Sequence, residues 1–174
     1  VESEWQIWAN STDCDATRSM NFYGLQSLAL RSMLESGDVI AITPMIKNRF
    51  PYQLALQIIE ADRLCNKDRQ VDTEKKIAGI AFDENGAAIS YDIAKLHPGS
   101  LKQTGQAWTT IDAYGNNGRR NVIHLFDRKR PGQVRGVPYL APVIENLKQI
   151  TRYSEAELQA AVVSAAFAVF LEMD

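Results

Sequence analysis

The sequence predicts an α+β fold: largely antiparallel strands with a β-hairpin, packed against an amphipathic helix and two C-terminal helices. Three stretches carry that prediction. Between Asn21 and Ser36, the residues Phe22, Leu25, Leu28, Ala29, Ser32 and Met33 recur at the three- and four-residue steps of one helix face. Ile77 to Phe82 and Ala87 to Ala94 flank Asp83-Glu84-Asn85-Gly86, where Asn-Gly offers the positive φ of a hairpin turn. Around and after Pro142, Leu140, Val143, Ile144, Leu147 and Ile150 fall at helical spacing, and a second helical stretch follows from Ser154.

Taken in order, Val1 to Ser19 is polar and irregular, with Trp5 and Trp8 spaced to share one face of a short helix or to cap the core. Asp13 and Asp15 resemble the start of a calcium loop. The sixth position is Arg18 where glycine is needed, and the twelfth is Gly24 where a bidentate Glu is needed, so both acids read as turn and cap residues. Asn21 suits the N-cap of the first amphipathic helix and Gly37 its stop. Asp38 to Thr43 reads as a buried strand ended by Pro44, and Gln53 to Glu60 as a second, with Leu54, Leu56 and Ile58 alternating. Asn66 to Lys76, mixed in charge, reads as an exposed, mobile loop.

The hairpin follows, with Ile89, Tyr91 and Ile93 alternating on its second strand. Gln106 to Tyr114 is a further strand candidate, Gly115 to Gly118 a turn. Asn121 to Phe126 is a strand with Val122 and His124 on one face. A helix is expected from about Tyr139 to Thr151. A second is expected from Ser154, where Ser154 and Glu157 have capping-box spacing. Its body, Ala160 to Leu171, is apolar on nearly every side, which predicts burial in the core or between subunits.

With 174 residues, 45% of them hydrophobic, the chain can build a core of its own and reads as one domain. Cys14 and Cys65 lack the spacing of a zinc site or of a disulfide-dense scaffold and read as reduced, which fits the cytosol. No apolar run is long enough for a membrane span. Phosphate-binding glycine motifs and His-Glu-x-x-His are missing. His97 and His124 stand apart from each other, and His124 in an apolar strand reads as a satisfied core histidine. Glu60, Asp62 and Arg63 read as a solvated strand end with a weak ion pair. These observations point away from an enzyme and away from any cofactor or metal.

Charge is unevenly spread. Arg119, Arg120, Arg128, Lys129, Arg130 and Arg135 face the single acid Asp127, a net +5 in a chain of −2, so the rest sums to −7. The six cations are candidate contacts with phosphates or with an acidic neighbouring subunit. Only Phe126 in this run could stack on a base, which favours the subunit. Gly132, Gln133, Gly136, Pro138 and Pro142 punctuate the same stretch. The prolines suit a helix start, and the glycines unusual backbone angles or a close approach of chains.

This stretch, Arg130-Pro131-Gly132-Gln133 and Arg135-Gly136-Val137-Pro138, with Val122 to Phe126 before it and Leu140-Ala141-Pro142-Val143-Ile144 after it, resembles the portal proteins of tailed bacteriophages, in the family typified by phage lambda. Cys14-Asp15-Ala16, Asn21 to Gln26, Ile59 to Arg63 and the Tyr153 to Leu158 helix start stand in the same order as in that family. The resemblance spans most of the chain and is weakest from about Asn66 to Asn121. It implies the body, or wing-like, portion of a portal subunit, truncated C-terminally. It also implies a dodecameric ring of like subunits at a capsid vertex. Double-stranded DNA passes through such a ring, and terminase, capsid and tail-joining proteins dock on it. Its place is the virion, with assembly in the host cytoplasm. The competing readings are another minor capsid or tail protein, and a metal-dependent nuclease built on Glu60, Asp62 and the acids near Asp13.

Overall fold

The computed structural model describes residues 1–49, 51–100 and 107–170. They divide into two compact units, Val1–Tyr139 and Leu140–Asp174.

The first unit opens with helix α1 (Glu2–Asn10), which the irregular composition of this region only half announces. Its anchor is Trp8, 6% exposed, whose indole N–H donates to the Leu54 carbonyl at 2.9 Å. The rings of Trp5, Trp8 and Phe22 cluster with centroids 5.1 to 5.6 Å apart, Trp5 edge-on to Phe22 and the other two pairs tilted. Helix α2 (Phe22–Ser36) begins and ends where its caps predict. Asn21 Oδ1 accepts the Gly24 N–H at 2.9 Å, and Gly37 adopts φ 91° while its N–H closes on the Met33 carbonyl.

Among the described residues seven strands follow in two antiparallel sheets. The first sheet has the order β2 (Gln57–Ile59), β1 (Asp38–Ile42), β7 (Val122–Phe126). The second has the order β3 (Lys76–Ile77), β4 (Ile80–Phe82), β5 (Ala88–Ala94), β6 (Trp108–Asp112). Ile40, Ile59, Leu64, Ile80, Tyr91, Ile93, Ala113 and Val122 form the main core from both sheets. A second cluster of Trp8, Ala9, Cys14 and Leu25, joined by Phe22, Tyr52, Leu56 and Ile58, seats the helices on the β2 side.

Several expectations change. The strand expected from Gln53 to Glu60 is ordered as β2 only over its end, because Leu56 is drawn off to a parallel bridge with Asp15. The run Ile77 to Phe82 is not one strand: Ala78 and Gly79 take φ 50° and 83° and fold β3 back onto β4. Gly79 is needed there, since a Cβ would lie 2.8 Å from the Cys65 backbone. In the β4–β5 turn Gly86 alone supplies positive φ, and Asp83 Oδ1 caps the turn by accepting the Asn85 and Ala87 N–H groups. The Gln106 end of the next expected strand lies outside the described residues.

In the second unit a short 3₁₀ turn, Ala141–Val143, carries Pro142 in its first positions and leads into α3 (Ile144–Phe170). The two helices expected here are one. The Ser154 hydroxyl donates to the Ile150 carbonyl at 3.0 Å, so Ser154 continues the ladder instead of capping a new helix. No glycine or proline lies between Ile144 and Phe170 to break it. Within this single chain its described side chains, through Ala165, are exposed, Leu158 at 68% and Val162 at 64%, so of the two burials the apolar pattern predicts, in the core or between subunits, the first is not met by them. Apolar composition says that such a surface needs cover, not what supplies it. The Leu171 end lies outside the described residues. No helix among the described residues is long and apolar enough to cross a membrane.

Candidate functional site

Asp38 stands immediately after the Gly37 cap, and the first residue of β1 therefore points its carboxylate into the protein, 1% exposed. A buried charge needs partners. β7 supplies the first, because its register sets His124 opposite Ile40 and brings His124 Nε2 to 2.9 Å from Asp38 Oδ2. The loop after β7 supplies the second. Gln133, 9% exposed, holds that loop folded: its carbonyl accepts the Lys129 N–H at 2.9 Å, and its amide donates to the Arg135 carbonyl at 2.7 Å.

The fold of the loop turns Arg135 inward. Its Nε and Nη2 reach Asp38 Oδ2 and Oδ1 at 2.5 and 3.2 Å, and its guanidinium also donates to the carbonyls of Leu64 at 2.7 Å and Ala61 at 2.9 Å. Burial pushes the Asp38 carboxyl up, but the hydrogen bonds from His124 and Arg135 and their charge outweigh it and hold it at about 2.

Glycine makes this approach possible. A Cβ on Gly136 would stand 1.8 Å from the Gly37 carbonyl oxygen, and one on Gly37 would meet the backbone of Val137 and Pro138. Gly132 has open space and no left-handed φ, so nothing within this chain requires a glycine there. Pro142 lies outside this lock, in the turn before α3.

The six cations read as one basic run are dispersed by the fold. Arg135 is internal, its side chain spent on Asp38 and two carbonyls. Arg119 and Arg120 stand before β7, Arg128 to Arg130 beyond its other end, and five residues of strand separate them by roughly 17 Å. Arg119 Nη2 donates to the Thr43 carbonyl at 2.8 Å, tying the ends of β1 and β7. Arg120 lies over the Tyr114 ring and donates to its hydroxyl at 2.8 Å.

Arg128, Lys129 and Arg130 are exposed. Arg128 stacks 5.6 Å over Phe126, and Lys129 reaches the exposed Asp127 at 4.0 Å, a pair of little energetic weight. Arg128 also edges a pocket of about 290 Å³ where β4 and β5 meet β7, lined by Phe82, Tyr91, His124, Phe126 and Val134.

A wider groove of about 600 Å³ runs between α2 and residues 57–63 and brings Glu60, Asp62 and Arg63 together with His97 and Asp15. The carboxylates do not converge. Asp62 faces His97 at 3.5 Å, Arg63 Nε donates to the Ala94 carbonyl at 2.8 Å, and Asp13 pairs with Arg18 at 3.0 Å. Asp15 accepts from Thr17, Ser19 and Met20. Burial raises its carboxyl, and those donors bring it down to about 2. Among the described residues no three His, Cys, Asp or Glu side chains gather as a metal ion would need.

Two of the organising residues have only weak sequence signals. Asp38 is an acid opening an otherwise apolar strand, a pattern that calls for a buried partner. Arg49, 8% exposed, donates to the carbonyls of Asp13, Asp15 and Ala16 and shapes the N-terminal loop.

Comparison with known proteins gives one answer. The family model described as "Phage portal protein, lambda family" matches residues 1–174. The chain is 27% identical to the portal protein of Escherichia phage N15 and 26% identical to portal protein B of Escherichia phage lambda. Each alignment covers all of this chain and 33% of the relative. It is 29% identical to a probable portal protein of Halomonas phage phiHAP-1, with the same coverage. The chain thus spans about a third of the length of these relatives.

Proposed function

The chain belongs to the lambda family of phage portal proteins, and from that premise we propose that it is the body, or wing-like, portion of a ring-forming portal subunit at the capsid vertex. In this reading the ring is a dodecamer, assembled in the host cytoplasm and retained in the virion. It is the passage for double-stranded DNA in packaging and ejection, and the platform for terminase, capsid and tail-joining proteins. The role is structural and not catalytic. The observation that carries the reading is the family match along the whole of residues 1–174.

The exposed cations Arg128, Lys129 and Arg130 are the residues this reading assigns to contact with a neighbour. Arg119, Arg120 and Arg135, already engaged inside the subunit, set the shape of the strand ends and the loop. The test is electron microscopy with light scattering on the full-length protein. The expected result is a closed ring of about a dozen subunits around a central hole. A monomer or dimer under all conditions would overturn the reading.

A further inference from the structure

We propose that the loop after β7 and the pocket beside it receive helix α1 of a second copy of this chain. The proposal rests on the ring reading above and names the two surfaces that meet. β2 and β7 are opposite edges of the first sheet. The loop of Arg128, Lys129 and Arg130 follows β7. Helix α1 lies at the other side, pinned by Trp8 to Leu54 and packed among Tyr52, Leu56 and Ile58 near β2.

The two surfaces are complementary in charge. α1 carries Glu2 and Glu4 and no basic residue. It also exposes Trp5 at 47% and Ile7 at 55%. The facing site offers three exposed cations around one acid, beside a pocket of about 290 Å³ that Arg128 helps to line. A helix that presents carboxylates and no cation is the ligand such a site fits. Glu4 accepts from the Tyr52 hydroxyl in its own subunit and keeps its negative charge outward.

Because the two surfaces differ and lie on opposite flanks, one subunit cannot join them to each other. Copy after copy joins head to tail, and a closed ring results when the rotation per contact divides the circle.

The test is a charge swap in the full-length protein, with ring yield read by electron microscopy and light scattering and folding checked by circular dichroism. Glu2→Lys with Glu4→Lys is expected to lower ring yield at least roughly tenfold, as is Arg128→Glu with Lys129→Glu and Arg130→Glu, because like charges then face each other. Mixing the two variants is expected to restore assemblies in which they alternate, because the reversed α1 of one then meets the reversed loop of the other and the intact α1 meets the intact loop, so charges oppose at every contact. Combining all five changes in one chain is expected to restore rings. Folded variants that form rings as well as the wild type, or a five-fold variant that fails to recover, would overturn the pairing while leaving the portal reading standing. A wild type that forms no ring would overturn that reading itself. As a second readout, Glu4→Cys with Arg128→Cys in one chain should give a ladder of covalently joined chains with a short bis-maleimide. Its absence from rings of that variant would also overturn the proposal.

Discussion

At the scale of the residue, Asp38 decides most. It is a buried carboxylate paired with the Arg135 guanidinium and hydrogen-bonded by His124, partners that stand 97 and 86 positions further along the chain. Removing one member of a buried pair strands the other. Arg135→Met is therefore expected to cost roughly 3–5 kcal/mol, read as a lowered midpoint in denaturant unfolding. Lys129→Met, which removes only a surface pair, is expected to stay within about 0.5 kcal/mol of the parent. Asp38 and Asp15 also set the acid limit of the fold. Both carboxyls ionise at about 2 in the folded protein against 3.8 ordinarily. Their stabilisation is complete above the ordinary value and is lost as pH falls from 3.8 towards about 2. Thermal melts should fall in that window, and Asp15→Asn should flatten the fall. An unchanged slope in that variant would remove Asp15 from the account.

At the scale of the element, the glycines and the long helix carry the argument. Gly136→Ala forces a methyl against the Gly37 carbonyl, and because both sides of the contact are backbone, little can give. The expected loss is roughly 3 kcal/mol or more, at the upper end of overpacking. Gly132→Ala, in open space without positive φ, is expected to be neutral or slightly stabilising. Melting temperatures of the pair separate a lock from a mere flexible loop. For α3, Ser154→Ala should change stability by less than about 0.5 kcal/mol, since the hydroxyl only bonds back to Ile150. Loss of a true cap would cost about 1 kcal/mol.

At the scale of the whole molecule, the fold separates charges that the sequence holds together. Three cations stay on the surface at one edge of the first sheet, and the acidic helix lies at the other. Ring assembly by such surfaces should weaken as salt rises from about 0.1 to 1 M, where the screening length shrinks from roughly 10 to 3 Å. Assembly that strengthens with salt would instead mark a contact held by apolar burial. The reading of the whole protein as a portal subunit stands or falls with the ring.

Elements whose causes are local can be read along the chain. Asn21 and Gly37 bound α2 because a cap is a contact between residues a turn apart, and the apolar alternation of β5 marks its buried face. The family, too, was legible in the ordered motifs from Cys14 to Leu158. Periodicity could not show the Ala78-Gly79 turn, because Gly79 answers to the Cys65 backbone and not to its own neighbours. Nor could it tell a surface cation from an internal one. Arg128 and Arg135 are alike in composition and seven residues apart, yet one stacks on Phe126 in the open and the other closes on Asp38. Which partner a charged side chain finds depends on segments brought together from across the chain, a matter of folding and not of neighbouring residues.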